Sequence, residues 1–166
     1  MEVPKIPDDE QVRLNQLRAL AILDTSPEER FDRVTRMAKR LFGVPIALVS
    51  LVDENRQWFK SCMGLDVLET ERTISFCGHA ILNNGALVIN DATQDKRFSD
   101  NPLVINEPHI RFYAGYPLRT LSGQGLGTLC IIDLIPREFS DEDIAMLANL
   151  ANMVEREIMA VQGFVS

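Results

Sequence analysis

The residues of this chain with the most chemistry in them stand close together near its middle. Cys77, Gly78 and His79 put a thiol and an imidazole two positions apart, in a stretch (75–83) that reads as a short helix stopped by Asn83-Asn84-Gly85. A cysteine near a helix N-terminus has a depressed pKa, and a histidine beside it is a candidate base or metal ligand. On a helix, however, positions i and i+2 point away from each other, so the pair is read as packing at a pocket rim rather than as a catalytic couple. A metal site wants three or four convergent ligands. The chain has only two histidines, His79 and His109, and no Cys-x-x-Cys, so no metal is expected.

A second set is charged. Asp91, Asp95, Arg97 and Arg111 flank a long polar segment, 91–109, punctuated by Pro102 and Pro108. An arginine there, or Tyr113, suits a polar ligand, because a guanidinium grips carboxylate or phosphate through two parallel hydrogen bonds. The competing reading has Asp91 capping a turn and the arginines paired with loop carboxylates. Phe76, Phe98, Phe112 and Tyr116 are candidates to line an apolar pocket, or else plain core. Gly123-Gln124-Gly125-Leu126-Gly127 joins strand to strand, so its amides meet no helix N-terminus and it is a hairpin turn rather than a phosphate loop.

The scaffold that must position these side chains is centred on 110–133. Two apolar runs, 110–118 and 126–132, are rich in branched and aromatic residues, too short for typical helices, and separated by Ser122, Gly123 and Gly125. They read as an antiparallel hairpin in the middle of a sheet. Alternation places Phe112, Ala114, Tyr116 and Leu118 on one face and Arg111, Tyr113, Gly115 and Pro117 on the other. Neither face is polar, so both must be covered. Before the hairpin come an amphipathic helix over 9–23 with Leu14, Leu17, Leu20 and Ala21 on one side, and a second helix beginning at Pro27 behind a Ser26 cap, with Phe31, Val34, Ala38 and Leu41 buried. A strand pair over 46–52 and 57–63, a loop over 63–72 and a short strand at 87–90 follow. After it, Ser140 and Asp143 open a last helix in capping fashion. Its apolar positions Ile144, Leu147, Ala151, Val154, Ile158, Val161 and Val165 step by three and four, a seam expected to pair between two copies of the chain, with packing on the domain's own sheet as the alternative.

Composition sets the limits. The 166 residues are 46% hydrophobic and 25% charged, as in one ordinary globular domain, and the net charge of −7 argues against a phosphate-backbone or anionic-membrane binder. Nucleic acid and membrane are therefore not expected as partners. Three cysteines, Cys62, Cys77 and Cys130, are odd in number and unpaired in spacing, and the N-terminus lacks a signal peptide's charged and apolar regions. Reduced thiols and a cytoplasmic location are the expectation. Residues 1–8 are read as a mobile lead-in, 9–162 as the domain, and 163–166 as the end of a signalling helix.

The wording SFCGHAI at 75–81, LVINDA at 87–92, DKRFSDNPLV at 95–104, IRFYAGYPL at 110–118 and GLGTLCIIDLIPR at 125–137 resembles the GAF domain family, over about residues 10–162. The likeness is to the bacterial subgroup at the N-termini of sensor histidine kinases, diguanylate cyclases and related signalling proteins. It implies an α+β fold, a six-stranded antiparallel sheet with helices on one face forming a dimer bundle and a small-molecule pocket on the other. It implies a sensory or regulatory role, by ligand or redox state, signalling to a kinase or cyclase output domain, and no catalysis in the domain itself. The pocket is expected between the hairpin and 75–109, with Arg111 and Tyr113 reaching in and Phe76, Cys77, His79, Asp91, Arg97, Phe98 and Tyr116 as the other candidates. No motif selects a cofactor: bilin-binding relatives carry a cysteine often followed directly by histidine, where this chain has Cys-Gly-His. Two alternatives stay open, a vestigial domain that only dimerises and a free methionine-(R)-sulfoxide reductase. For the latter the placement of Cys62 and Cys130 within strands offers no reason for the thiols to gather.

Overall fold

The computed structural model describes residues 1–160. Its helices are α1 (Glu10–Ala19), α2 (Glu29–Phe42), α3 (Phe76–Ala80), α4 (Pro102–Ile105) and α5 (Asp141–Ala160). Its strands are β1 (Ile46–Val52), β2 (Arg56–Met63), β3 (Glu69–Glu71), β4 (Leu87–Ile89), β5 (Phe112–Arg119) and β6 (Gly125–Asp133). They form one six-stranded sheet in the order β3-β2-β1-β6-β5-β4, with every pairing antiparallel. Every residue of β1 and β6 is buried, as near-continuous apolar runs require of central strands covered on both sides.

The sheet divides the core in two. Ala47, Val49 and Leu51 of β1, Phe112, Ala114 and Leu118 of β5 and Leu129 and Ile131 of β6 pack with the apolar stripes of α1, α2 and α5. Ile46 and Leu48, Tyr113, and Cys130 and Ile132 face the other way, toward α3, α4 and the loops. The alternation along β5 is thus the one its sequence implies. α5 opens with a reciprocal cap: the Ser140 amide donates to Asp143 Oδ2 at 3.0 Å and the Asp143 amide to Ser140 Oγ at 3.1 Å.

Several expectations are corrected. The seam of α5 closes on the domain's own sheet: Leu147, Ala151, Val154 and Ile158 are buried in the helix-side core, Ile144 is half-buried, and Val161 and Val165 lie outside the described residues. Leu147, Ala151, Val154 and Ile158 are buried within one copy and so are not available to an intermolecular seam. α2 begins at Glu29, not Pro27, and its N-cap, Glu28, makes no side-chain cap bond. Lys60 competes for this segment: its buried ammonium donates to Thr25 Oγ1 at 2.7 Å and the Ser26 carbonyl at 2.6 Å and pairs with the Glu28 carboxylate at 2.7 Å, while Glu28 itself is extended. Phe42 rather than Leu41 completes the buried stripe, and Ala21 is exposed in a left-handed turn. The 63–72 loop carries an edge strand, β3. Residues 1–8, read as mobile, lie against the body: the Glu2 amide donates to the Arg97 carbonyl at 3.0 Å, and Pro4 is buried over Gly78.

Candidate functional site

On the face of the sheet away from α1, α2 and α5 lies a cavity of about 320 Å³, at the lower end of the ~300–1,000 Å³ range of ligand pockets. Leu48 of β1, Gln57 and Phe59 of β2, Tyr113 of β5 and Cys130 and Ile132 of β6 form its floor. Phe76 and Cys77 of α3 make one wall. Leu65, Asp66 and Val67 on the loop after β2, Thr70 of β3, and Leu103, Glu107, Pro108 and Ile110 on and after α4 close over it.

Short polar devices hold these walls. Ser75 caps α3, accepting from the Gly78 amide at 3.0 Å and donating to the Arg72 carbonyl at 2.7 Å, which fixes Phe76 and Cys77 inward. Asn101 caps α4 through the Leu103 amide at 2.8 Å, and its Nδ2 reaches the Ile74 carbonyl at 3.0 Å, tying the two walls together. Tyr113 lies along β5 over Gly115, where a Cβ would run into its ring and hydroxyl. That hydroxyl donates to Cys77 Sγ at 3.3 Å, and Cys77 Sγ stands 3.0 Å from Thr128 Oγ1. Nearby, Ser50 Oγ donates to Gln57 Oε1 at 3.2 Å, and Gln57 Nε2 donates to Thr70 Oγ1 at 2.5 Å. The polar groups here are therefore largely satisfied by one another.

Burial opposes ionisation here. It pushes the Tyr113 hydroxyl and the Cys130 thiol well above their ordinary values. At Cys77 burial acts in the same sense, but hydrogen bonds from Cys130, Ser50, Thr128 and Tyr113 outweigh it, so of these two thiols Cys77 is the one brought below the usual value. All three cysteines face this side of the sheet. Leu48 pairs with Cys130 on one side and Cys62 on the other, so the three residues lie in one row across the strands. A bulge at Lys60 makes this possible, because simple alternation from Gln57 and Phe59 would put Cys62 on the helical face. Cys62 and Cys130 sit two strands apart, roughly 9–10 Å, too far for a bridge between them.

Of the residues singled out from sequence, Phe76, Cys77 and Tyr113 line the cavity and the others do not. His79 turns outward, its Nε2 3.0 Å from the Glu2 carbonyl and its ring edge-on to Phe98, with burial lowering its pKa. Phe98 stacks behind Phe76 at 4.2 Å between centroids. Asp91 caps a turn, accepting from the Thr93 amide and hydroxyl at 3.0 and 2.6 Å. Arg97 pairs with Asp95 at 2.8 Å, which holds that carboxyl below the usual range. Arg111 donates to the Val104 and Ile110 carbonyls, 3.0 Å each. Tyr116, like Phe112, lies on the helical face. Among the described residues no cluster of three or more His, Cys, Asp or Glu could hold a metal. The lining contributed by 65–70 has no periodicity that would have announced it; Cys130 and Ile132 follow from alternation once Tyr113 and its partner strand are aligned.

This arrangement, a six-stranded antiparallel sheet with helices behind it and a loop-roofed cavity in front, has a family. The GAF domain profile matches residues 26–158. The chain belongs to the GAF domain family. It is 45% identical over 159 residues to a cyclic di-GMP phosphodiesterase of Pseudomonas aeruginosa, covering 95% of this chain but only 27% of that protein. Most of that relative thus lies outside the shared region. Among solved structures, the GAF domain of an Acinetobacter phosphoenolpyruvate-protein phosphotransferase superposes with a TM-score of 0.63 at 18% identity, over 89% of this chain and 93% of that one. The free methionine-R-sulfoxide reductase of Neisseria meningitidis, in complex with its substrate, gives 0.64 at 18% identity over 98% of both. At such identities these two establish the fold and nothing of the chemistry. GAF domains are a sensory and regulatory signalling family, and this chain is one of them. Among the described residues no helix is long and apolar enough to cross a membrane.

Proposed function

We propose that this GAF domain is a non-catalytic, cytoplasmic sensor whose cavity takes up a small molecule and whose occupancy is passed through α5 to a further domain acting in cyclic di-GMP signalling. The observation that carries the reading is the cavity itself: about 320 Å³ left unfilled on a sheet whose opposite face is fully packed. A domain kept only for dimerisation has no reason to leave such space, since unfilled apolar volume costs stability. The route to α5 is short. Tyr113 faces the cavity while its neighbours Phe112 and Ala114 pack in the core with α5, and Cys130 and Ile132 stand in the same relation to Leu129 and Ile131. A shift of β5 or β6 on filling is felt on both sides of a single layer. The output domain is suggested by the Pseudomonas relative, of which this chain matches about a quarter. Pairing of two copies, which the family likeness implies, would use the outward side of α5 rather than its buried seam. Native mass spectrometry of the purified protein, with extraction and identification of small molecules, tests the reading: a stoichiometric adduct lost in Leu103→Trp supports it. Preparations free of adduct that also gain no stability from any small-molecule library argue for a domain without a ligand.

A second reading, redox sensing at the same site, is favoured by one observation: Cys77 and Cys130 both line the cavity and belong to one buried cluster. A hydroperoxide would be cleaved by the Cys77 thiolate, giving a sulfenic acid and an alcohol; the Cys130 thiol would then displace water and form the disulfide. A two-dalton mass loss after peroxide, absent in Cys130→Ser, would support it. Cys77 driven only to the sulfinic acid would sink it.

A further inference from the structure

Resting on the reading of the cavity as a receptor, the charges around it narrow what it can hold. Among the described residues that line it there is no Lys, Arg or His. The basic side chains near the lid have partners of their own: Arg97 with Asp95, Arg111 with two carbonyls of its own segment, His79 with the Glu2 carbonyl, and the half-exposed His109 3.9 Å from Glu107 on the outer side of the rim. None of the four lines the cavity. The two charged residues that do line the cavity are both acidic, Asp66 on the loop after β2 and Glu107 after α4, one on each of the two segments that close it. Between them and the floor the walls are almost wholly apolar, with Leu48, Phe59, Phe76 and Ile132 prominent.

An anion entering this space would leave its hydration shell and meet no basic side chain among the lining residues. It would also pass two carboxylates. A ligand with an apolar body and an ammonium group has the opposite fortune, because its body replaces water on the walls while its charge stays at the wet rim beside Asp66 and Glu107. We infer that the cavity is a receptor for small apolar amines, protonated at the mouth, and that it rejects carboxylates and phosphates of similar size. The domain does not, on this inference, read cyclic di-GMP: two phosphates and two purines match neither the charge nor the volume. The molecule that its relative is named for hydrolysing would then be the output's substrate and not this domain's signal.

Matched triplets test this. An amine, its alcohol and its carboxylic acid on a common body (indolylethyl, phenylethyl, cyclohexylethyl) are titrated by calorimetry against the protein, with cyclic di-GMP alongside. The amine of at least one triplet should bind more tightly than its acid by about tenfold or more, and Asp66→Asn with Glu107→Gln should bring the amine to the level of the alcohol, since each rim carboxylate contributes a few-fold. Leu103→Trp, which fills the space, should abolish binding while the thermal midpoint shows the fold retained. An acid or cyclic di-GMP that binds more tightly than the amines, and is lost in Leu103→Trp, overturns the charge inference while leaving a receptor in place. Amine binding that survives Leu103→Trp also overturns it. If no member of any triplet binds, the amine assignment fails, and an adduct seen by native mass spectrometry still decides the receptor reading separately.

Discussion

Replacing Ile158 with alanine separates a helix that belongs to the domain's core from one that pairs between copies. Ile158 is 1% exposed and Val154 is fully buried, both in the cluster with α2, β5 and β6. The turn that carries Ile158 is pinned, because Arg30 Nη1 donates to the Glu157 carbonyl at 2.7 Å and reaches the Glu157 carboxylate at 3.3 Å. The helix therefore cannot slide inward to fill the space left behind. Of the ~2–5 kcal/mol range for such truncations, about 3–4 kcal/mol is expected here. For a domain of this size, with roughly 2–4 °C per kcal/mol, that is a fall of about 10 °C in Tm. Urea unfolding at two protein concentrations a hundredfold apart is the assay. Because the side chain is buried within one copy, the variant's loss should be the same at both concentrations. A wild-type midpoint that climbs with concentration, in company with an Ile158→Ala protein that has lost only that climb, would refute the reasoning.

Other perturbations follow from particular contacts. Glu10 answers two buried guanidinium groups: burial alone would raise its carboxyl, but hydrogen bonds from Arg72 and Arg13 hold it at about 2. Its contribution is thus complete above the usual carboxylate value and disappears as pH falls from about 4.5 toward 2, so Glu10→Gln should be weaker than wild type by about 2 kcal/mol at pH 7, after allowance for solvent at the carboxylate, with the gap closing over that window in parallel urea titrations. Gly127→Ala drives a Cβ into the Ser50 carbonyl of the neighbouring central strand and should prevent folding, whereas Gly115→Ala first meets the Tyr113 side chain and should fold with a displaced Tyr113 hydroxyl; circular dichroism and near-ultraviolet spectra tell the two apart. Ser140→Ala removes one half of the α5 cap and should cost about 1 kcal/mol in chemical denaturation.

The elements were legible where a single period governs them. Alternation assigned Phe112, Ala114 and Leu118 to one face and Tyr113 to the other, and the Ser140 cap was visible as a spacing. Misreadings occurred where a distant partner competed with a local signal: Lys60 takes the Ser26 carbonyl ahead of α2, and the own-sheet packing of α5 uses the same three-four spacing as a coiled coil. The edge strand β3 is three residues long and has too little pattern to detect. The cavity's general position, hairpin against the following lid, was readable, but its chemistry was not. Arg97 and Arg111 have the chemistry of ligand anchors but are paired within their own segment, and the place of Cys62 on the cavity face depends on one bulged residue that leaves no mark in the sequence.

Hydrogen exchange with and without a bound ligand tests the sensory role most directly. Once an occupant is in hand, protection should rise across 65–70 and 103–110, which close the cavity, and across β5 and α5, while α2 stays unchanged. Protection confined to the two lid segments, with β5 and α5 indistinguishable from the empty protein, would contradict a signal carried from the cavity through the sheet.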